Sequence, residues 1–550
     1  MIQIKNAFSK GMMRWTGINK IPPFYAWFMR NMRIKDWIVK QKQWSQRYAP
    51  TPSARNVQAM LWYDLTNQLL CVAWWYLYRS ADTTSRVIVG SVWAYTTPYS
   101  MFAYGDFVLI LNGIDHMYIY HNLYGLYQHW VWWSTFNNTA WVRPPQMNDG
   151  VSSIVEAYPL IGNKITGFSI VAWNNSVSKK VLFISKPVVP DAPRRCYDFW
   201  LWSWQDYDIW ENRYMTSEIL AIAPAMWNIY IFCRDSIELM WRWTAETASS
   251  IITLSTQVIA EWDQILWMNM FVAVDDIVFF WTKDHRIRTI NYAPGLTNPK
   301  IATISDPIED WIKMNVKSSW RENLWFGVFH KWNQQVEFHF TSTDAISNYP
   351  DKVLIRDLKE QSRFIDDDIA FNQFAYWQKE RDVLYCANNT SVYKLWMKYD
   401  LTYMNRRQDS NGNTIAITGQ YNTPNIFLGT VEEKLFRWFI ITWGIDQNCE
   451  ITFDCFVDWN LVFTKTIIDN NIPTAQKSVV NTWDPKSYSN SQKLYPFQFV
   501  ADQWMIRIKG KRIRIQITCT NASNSASQFY LDGLRIDALS TWNYELSDKF

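Results

Sequence analysis

Basic residues near the C-terminus alternate with isoleucine in a pattern that suits contact with phosphate groups. The segment reads Arg507-Ile-Lys-Gly-Lys-Arg-Ile-Arg-Ile-Gln-Ile517. Successive side chains of a strand point to opposite faces, so the arginines at 512 and 514 share one face and the isoleucines share the other. Such a ribbon can touch phosphates or an acidic protein surface, although a solvated strand face that discourages edge pairing has the same pattern. The candidate contact residues are Lys509, Lys511, Arg512 and Arg514.

Three groups of adjacent carboxylates are the candidates for acid–base chemistry. They are Asp275-Asp276, Asp366-Asp367-Asp368 and Glu432-Glu433. Glycoside hydrolases place two carboxylates roughly 5 to 9 Å apart across the bond that they cleave. Adjacent acidic residues are more typical of solvated turns. We therefore predict that these residues form turns and that the protein is not an enzyme.

Motifs for metals and nucleotides are missing from the sequence. None of the six histidines has HExxH or another metal-ligand spacing, so we interpret them as structural or solvent-facing. The patterns GxxxxGK[ST], GxGxxG and GxSxG do not occur. The sequence predicts no catalytic residues, no metal and no cofactor.

The elements around these residues are strands in recurring hairpins. In Phe107-Val-Leu-Ile-Leu-Asn-Gly-Ile-Asp-His-Met-Tyr-Ile-Tyr120 an apolar strand is followed by a polar turn and a strand with alternating aromatic residues. Residues 324–341 alternate most regularly, with apolar side chains on one face and Glu337 and His339 on the other. Comparable points of successive hairpins are Tyr76, Tyr118, Leu182, Ile237, Ile287, Val336 and Val392.

The hairpin period and the composition predict the fold class. Six intervals between Tyr76 and Val392 give about 53 residues per unit, and repeats of roughly 40 to 50 residues with several short strands are typical of β-propeller blades. The 550 residues are 48% hydrophobic, 17% aromatic and only 19% charged, which excludes a disordered chain. A net charge of +4 excludes a polycation but not a local basic patch. We predict an all-β protein, with a propeller of six or seven blades and a C-terminal β-sandwich-like domain.

Three regions follow one another along the chain. We expect residues 1–56 to form an N-terminal leader or docking segment, because they contain Pro22-Pro23 and a basic bias. Residues 57–420 hold the hairpins of the propeller. Residues 421–550 form the sandwich-like domain, since segments such as 434–441, 449–457 and 512–517 alternate strictly.

We expect neither a signal peptide nor a membrane span. The opening Met1-Ile-Gln-Ile-Lys-Asn lacks the hydrophobic stretch of a signal peptide. Apolar runs such as residues 439–445 fall short of the roughly 20 residues that cross a bilayer. The seven cysteines are an odd number scattered mostly in apolar strands, which favours reduced, buried thiols in a protein made in a cytoplasm.

Tryptophan occupies several turns where a hairpin usually needs Gly, Asn or Asp. Examples are Ala73-Trp74-Trp75-Tyr76, Met226-Trp227-Asn228 and Lys331-Trp332-Asn333. Bulky residues are unfavourable at the positive φ angles of tight hairpin turns. One interpretation is that these loops are longer and are buried at an assembly interface.

Five segments besides the hairpins form a pattern along the chain. They are Ile4-Lys-Asn-Ala-Phe-Ser-Lys-Gly-Met-Met13, Asn31-Met-Arg-Ile-Lys-Asp-Trp-Ile-Val-Lys40, Tyr48-Ala-Pro50, Gly510-Lys-Arg-Ile-Arg-Ile-Gln-Ile517 and Phe529-Tyr-Leu-Asp-Gly-Leu-Arg-Ile-Asp537. Together with the hairpins they resemble the tail hub and nozzle proteins of short-tailed bacteriophages, which include packaged-DNA stabilisation proteins. The likeness covers most of the chain in its organisation.

The resemblance implies a structural virion protein without catalytic residues. Such a subunit forms a hexameric ring beneath the portal and its adaptor ring, extends the DNA channel and helps to retain packaged DNA through non-specific contacts. Its other neighbours are fibres, spikes or a plug. The expected location is the virion tail, after synthesis in the host bacterial cytoplasm. The alternative is a carbohydrate-binding or glycan-cleaving propeller with aromatic platforms in its central pocket.

Overall fold

The computed structural model shows a chain that is built almost entirely from antiparallel strands. In the described part of the chain, the helical elements are α1 (Glu309–Asn315) and two short 3-10 turns, Asp306–Ile308 and Glu322–Leu324. None of the described helices is long and apolar enough to cross a membrane. The structure describes residues 2–4, 12–14, 18–19, 21–22, 25–35, 38–41, 45–50, 56–80, 86–92, 99–104, 107–111, 118–123, 125–128, 170–174, 180–184, 196–198, 203–205, 219–225, 228–233, 236–241, 256–261, 263–267, 269–291, 299–317, 322–331, 334–347, 349–358, 364–367, 370–376, 383–388, 391–396, 407–409, 412–428, 432–445, 449–468, 478–480, 497–521 and 529–540.

The N-terminal segment contributes strands to three different sheets. Its strands are β1 (Ile2–Ile4), β2 (Phe28–Arg30), β3 (Met32–Lys35), β4 (Ile38–Gln41) and β5 (Ser45–Pro50). Strands β1 and β4 pair with β42 of the C-terminal domain, and β3 joins the same sheet through β4. Strand β2 pairs with β35 of that domain and with β29 of the propeller, and β5 belongs to the propeller. The described strands of residues 1–56, a range that the sequence predicts to be a leader or docking segment, therefore belong to both parts of the molecule.

Within the described ranges, six four-stranded sheets and the first four strands of a larger sheet form seven blades. Blades 1 to 4 contain β6 (Val57–Tyr63), β7 (Gln68–Ala73), β8 (Tyr76–Ser80), β9 (Arg86–Ser91), β10 (Ser100–Tyr104), β11 (Phe107–Leu111), β12 (Tyr118–His121), β13 (Gly125–Gln128), β14 (Ile170–Asn174), β15 (Lys180–Ile184), β16 (Cys196–Asp198), β17 (Ser203–Gln205), β18 (Ile219–Pro224), β19 (Asn228–Cys233), β20 (Ser236–Trp241) and β21 (Thr256–Glu261). Blades 5 and 6 contain β22 (Phe271–Val274), β23 (Ile277–Trp281), β24 (Ile287–Asn291), β25 (Lys300–Thr303), β26 (Phe326–His330), β27 (Gln335–Phe340), β28 (Lys352–Asp357) and β29 (Phe364–Asp367). Blade 7 contains β30 (Gln373–Tyr376), β31 (Val383–Ala387) and β32 (Ser391–Trp396), with β5 as its fourth strand.

The blades form a closed ring. Innermost strands of neighbouring blades lie beside each other, and β30 of blade 7 contacts β6 of blade 1. Phe326 of blade 6 packs on Phe374 of blade 7, with 5.3 Å between ring centroids. Second strands such as β31 are buried along their whole length, because neighbouring blades cover both faces, and they read as continuous apolar runs.

Ring closure depends on the N-terminal strand β5. It pairs with β32 from Pro50 opposite Ser391 to Ser45 opposite Leu395. At this seam the ring of Tyr385 stacks on Trp62 of blade 1 at 4.8 Å and meets Tyr48 of β5 edge-on at 5.0 Å. One aromatic side chain therefore connects the first blade, the last blade and the closing strand.

The C-terminal domain is a sandwich of two sheets. Its strands are β33 (Arg407–Gln408), β34 (Thr414–Ile415), β35 (Thr418–Asn422), β36 (Lys434–Ile445), β37 (Cys449–Val457), β38 (Asn460–Ile468), β39 (Ser478–Val480), β40 (Phe497–Gly510), β41 (Ile513–Asn521) and β42 (Phe529–Ser540). One sheet has the order β3-β4-β42-β36-β40-β39, with β1 also paired to β42. The other contains β2-β35-β41-β37-β38, while β33 and β34 form a separate hairpin.

The sandwich core consists of apolar side chains at alternate positions of its strands. Along β41 the buried Ile513, Ile515 and Ile517 face inward, and the intervening side chains are half-exposed. Between the sheets, Trp504 of β40 packs 5.0 Å from Phe453 of β37, measured between ring centroids. The alternation has a period of two, as the sequence predicts for half-buried strands.

The sandwich and the propeller share a continuous sheet. Strand β2 lies between β29 of blade 6 and β35 of the sandwich, with Arg30 opposite Asp366 in parallel and Met29 opposite Tyr421 in antiparallel pairing. Val353 of blade 6 also belongs to the sandwich core. Backbone hydrogen bonds thus run without interruption from one part of the molecule into the other.

The predicted fold class is confirmed, and the blade number is seven in the described residues. Innermost strands begin on average about 53 residues apart between Val57 and Gln373, which matches the period of the sequence. Five of the seven reference points lie in third strands of blades, whereas Leu182 and Val336 lie in second strands. The sequence therefore predicts the length of the repeat correctly, although two of the reference points lie in a different strand of the blade from the other five.

Candidate functional site

The four predicted basic residues lie around the connection that crosses from one sandwich sheet to the other. Lys509 is exposed near the end of β40, opposite Leu435 of β36. Lys511 and Arg512 lie in the connection itself, and Arg514 lies in β41 opposite Phe456 of β37. The core-facing residues of β40 and β41 point toward each other, so the side chain of Lys509 and that of Arg514 leave opposite outer faces of the sandwich.

A second turn, between β37 and β38, packs against this connection. Its two central residues, Asp458 and Trp459, have φ angles of 49° and 80°, the pattern of a type I′ hairpin turn. The Asp458 carboxylate accepts hydrogen bonds from the backbone N–H of Lys511 at 3.0 Å and of Arg512 at 3.3 Å. A carboxylate from one hairpin therefore satisfies the amide donors of the other connection.

The two turns approach so closely that a glycine is required between them. A β-carbon at Gly510 would overlap Cγ1 of the buried Val457 and would lie 2.9 Å from Oδ2 of Asp458. The glycine in the basic segment is thus a packing requirement of the site and not only a flexible position.

The ring of Trp459 contacts both Arg512 and Arg514. The Arg512 guanidinium carbon lies 4.4 Å from the Trp459 ring centroid, and Arg512 Nη1 donates to Asn19 Oδ1 at 3.2 Å. The Arg512 Nε atom lies 3.7 Å from the Asp458 carboxylate. Arg512 is therefore held on three sides, by a ring, an amide and an acid.

Arg514 is held differently, since rings and not carboxylates surround it. Its guanidinium carbon lies 4.4 Å from the Phe456 ring centroid and 5.6 Å from that of Trp459. Burial lowers the pKa of Arg514, because desolvation penalises the charged form. Among the described residues, no carboxylate pairs with Arg514 and its Nε has no hydrogen-bond partner. We call Phe456, Asp458, Trp459, Leu461, Lys511, Arg512 and Arg514 the arginine–aromatic tip.

Apolar groups at the tip are exposed. Trp459 is 50% exposed and Leu461, opposite Phe456 in the hairpin, is 55% exposed. Sequence reasoning identifies the cations but not these residues. The pair Asp458-Trp459 between two alternating strands could have indicated a hairpin turn in the sequence. The position of this turn beside Arg512 is a tertiary contact, which no local sequence pattern predicts.

The acidic groups lie in different settings. Asp275 is an exposed turn residue with a φ of 52°, and Asp276 follows it in the two-residue turn between β22 and β23. Asp366 and Asp367 lie in strand β29, so the prediction of a turn is wrong there; pairing with β28 and the nearby β2 outweighs the low strand preference of aspartate. Asp368 lies outside the described residues.

A polar cluster is buried inside blade 6. His330 Nε2 lies 3.1 Å and His339 Nε2 lies 3.4 Å from the Glu337 carboxylate, and the backbone N–H of Phe371 donates to His339 Nδ1 at 3.1 Å. All three titratable side chains are buried. The described residues contain no group of His, Cys, Asp and Glu arranged to hold a metal ion.

The tryptophan turn of blade 1 is short and exposed. Trp74 and Trp75 form a two-residue turn between β7 and β8, Trp74 has a φ of 58°, and the rings stack 5.8 Å apart at 10°. Both side chains are nearly half exposed. The expectation of a longer loop is therefore wrong at this turn, while Trp227 and Trp332 lie outside the described residues.

Comparisons with known proteins return structural likeness alone. No family model matches the chain, and no curated protein matches it in sequence. The Cps50 (Swd1) β-propeller domain of Myceliophteria thermophila is 10% identical over 64% of this chain and 99% of that one, with a TM-score of 0.34. BBS1N in complex with ARL6DN is 12% identical over 65% of this chain and 97% of that one, with a TM-score of 0.35. The AfRom2 CNH domain is 12% identical over 64% and 97%, with a TM-score of 0.34.

Proposed function

We propose that this chain is a structural subunit of the tail hub or nozzle of a short-tailed bacteriophage. The observation that carries the proposal is the continuous connection between its parts. One sheet runs from blade 6 through β2 into the sandwich, and the N-terminal segment supplies strands to both. A tube wall under load benefits from such a body, because separating the two parts would require breaking backbone hydrogen bonds.

In this proposal six copies form a ring below the portal and adaptor and extend the DNA channel. Fibres, spikes or a plug are the further neighbours, and the chain performs no catalysis. The arginine–aromatic tip supports a docking role, because its Trp and Arg residues are the types enriched in protein interfaces. The resulting location is the virion tail, after synthesis in the bacterial cytoplasm.

Reconstitution with the neighbouring ring tests the proposal. The full chain is mixed with the purified portal–adaptor complex of the phage that encodes it, and the product is examined by mass measurement and electron microscopy. We expect a ring of six copies on the adaptor face. A chain that stays monomeric with every tail component, while its propeller is folded, would contradict the proposal.

The stacked Trp74–Trp75 pair favours a second candidate, a carbohydrate-binding propeller. Exposed, nearly parallel indole faces can pack against sugar rings, although this pair lies in a turn of blade 1 and not in a central pocket. A glycan array with the wild-type chain and Trp75→Ala separates the two. Binding of a defined glycan that the variant loses would support this candidate; equal signals from both proteins would remove it.

A further inference from the structure

We propose that the arginine–aromatic tip is a docking site for an acidic protein surface that contains an apolar pocket, and that Trp459 enters the pocket. The inference deepens the proposed function and rests on it, because the occupant would be a neighbouring ring of the tail. Its basis is local: an exposed tryptophan, an exposed leucine and two arginines that the hairpin holds beside them.

The backbone conformation of the turn is unfavourable for a tryptophan. Trp459 has a φ of 80°, in a position where hairpins usually place glycine. A bulky side chain there is strained, and strain of this kind concentrates at sites of recognition. Half of the indole surface faces solvent and is available to a partner.

The composition of the tip is also typical of a protein interface. Interface hot spots are enriched in Trp and Arg and combine a central apolar anchor with a polar rim. Here Trp459 and Leu461 supply the apolar surface, and Arg512 and Arg514 border it. The rings restrain both guanidinium groups before binding, which lowers the entropy lost when a partner carboxylate pairs with them.

Charge defines the chemistry of the partner. The tip has three basic side chains and one carboxylate, and that carboxylate already accepts backbone amides of Lys511 and Arg512. Arg514 has no acidic partner within the described ranges. A surface that places carboxylates on either side of an apolar pocket would satisfy both arginines.

Duplex DNA fits the tip less well. Phosphate binding relies on several cations that follow the backbone, and its strength falls steeply with salt. The structure separates the predicted ribbon instead, since Lys509 leaves the outer face of the other sheet. Trp459 and Leu461 also expose apolar surface in the same hairpin, which contributes nothing to contact with phosphates.

The test compares four tip variants with a matched control. Trp459→Gly removes the indole and relieves the positive φ, Leu461→Ala trims the neighbouring apolar contact, and Arg512→Gln and Arg514→Gln each remove one charge. Lys465→Gln removes an exposed charge from the same hairpin, outside the tip. Binding of each full-length protein to the immobilised portal–adaptor complex, and to a duplex DNA of random sequence, is measured from low to high salt.

We expect Trp459→Gly to lose roughly thirtyfold in affinity for the ring, the size of a hot-spot loss. Its loss should persist at high salt, while that of Arg514→Gln should shrink as salt screens the partner. Lys465→Gln should bind like the wild type. Thermal unfolding of Trp459→Gly no lower than that of the wild type would show that the loss is not one of folding.

Three results would overturn the inference. If the wild type and Trp459→Gly bind the ring equally, the tip is not the docking site, although the proposed function stands. If Arg512→Gln and Arg514→Gln weaken DNA binding and leave ring binding unchanged, the tip is a DNA contact. If the wild type does not bind any tail ring, the proposed function fails and this inference fails with it.

Discussion

Replacing Gly510 with alanine should disrupt the tip through a single added carbon. The new Cβ would overlap Cγ1 of Val457, which is only 2% exposed and so cannot swing into solvent, and it would press on Asp458. Overpacking of this kind costs about 1 to 3 kcal/mol. Displacing the Asp458 carboxylate weakens its hydrogen bonds to the amides of Lys511 and Arg512, a further loss of about 1 kcal/mol. We expect local stability to fall by about 2 to 4 kcal/mol.

Hydrogen exchange measures this effect where it occurs. The amides of Lys511 and Arg512 should exchange roughly 30 to 700 times faster, since about 1.4 kcal/mol corresponds to a factor of ten. Gly412→Ala is the matched control: Gly412 has a φ of 88° and its nearest neighbour would be Arg47 at 3.7 Å. That variant should lose about 1 to 2 kcal/mol from backbone strain alone, and only in its own turn. Unchanged exchange at residues 511 and 512 in Gly510→Ala would refute the close packing of the two turns.

Three further predictions concern the two cores. Tyr385→Ala should destabilise the ring seam by about 3 kcal/mol in urea unfolding because two ring contacts disappear, whereas Tyr385→Phe should retain most of that stability. Glu337→Ala should cost about 3 kcal/mol in thermal unfolding because the buried His330 and His339 lose their carboxylate, and Glu337→Gln, which preserves shape, should cost less. Burial raises the pKa of Cys455 to about 12, so a thiol reagent at pH 8 should not label it before unfolding. Because the unfolded thiol ionises first, its contribution to stability should decline between about pH 9 and pH 12, and Cys455→Ala should flatten that decline.

Local patterns predict most of the strands but not the pairing of the last blade. Apolar hairpins and their period of about 53 residues indicate a propeller, and the alternation of β41 indicates a half-buried strand. Strand β5 is different, because it pairs with β32 more than 340 residues later in the chain. No periodicity in residues 45–50 predicts β32 as the partner. The closed ring shows that β32 is the strand of blade 7 whose free edge β5 covers.

The sequence likewise predicts some features of the candidate site and not others. Alternation predicts that Arg514 leaves the sheet away from the core, and the structure places it so. The ring that organises both arginines comes from a hairpin about 54 residues earlier, as the contact between Asp458 and Arg512 illustrates. Conversely, Lys509 is adjacent in sequence but crosses to the other sheet, because the chain passes between sheets at Gly510. At a sheet crossing, residues far apart in the sequence can therefore be in contact, and residues close in the sequence can lie on opposite faces of the sandwich.

The tip lies at this crossing, so both sandwich sheets connect it to the rest of the molecule. Strand β40 continues from the tip into one sandwich sheet, and β41 continues into the other. Strand β41 pairs with β35, which pairs with β2, which in turn reaches β29 of blade 6. A force on Trp459 would thus pass through antiparallel pairs into both sheets and, across one parallel contact, into the propeller. The pair of Arg30 and Asp366 is the narrowest point of that path, so we expect mechanical separation of sandwich and propeller to begin there.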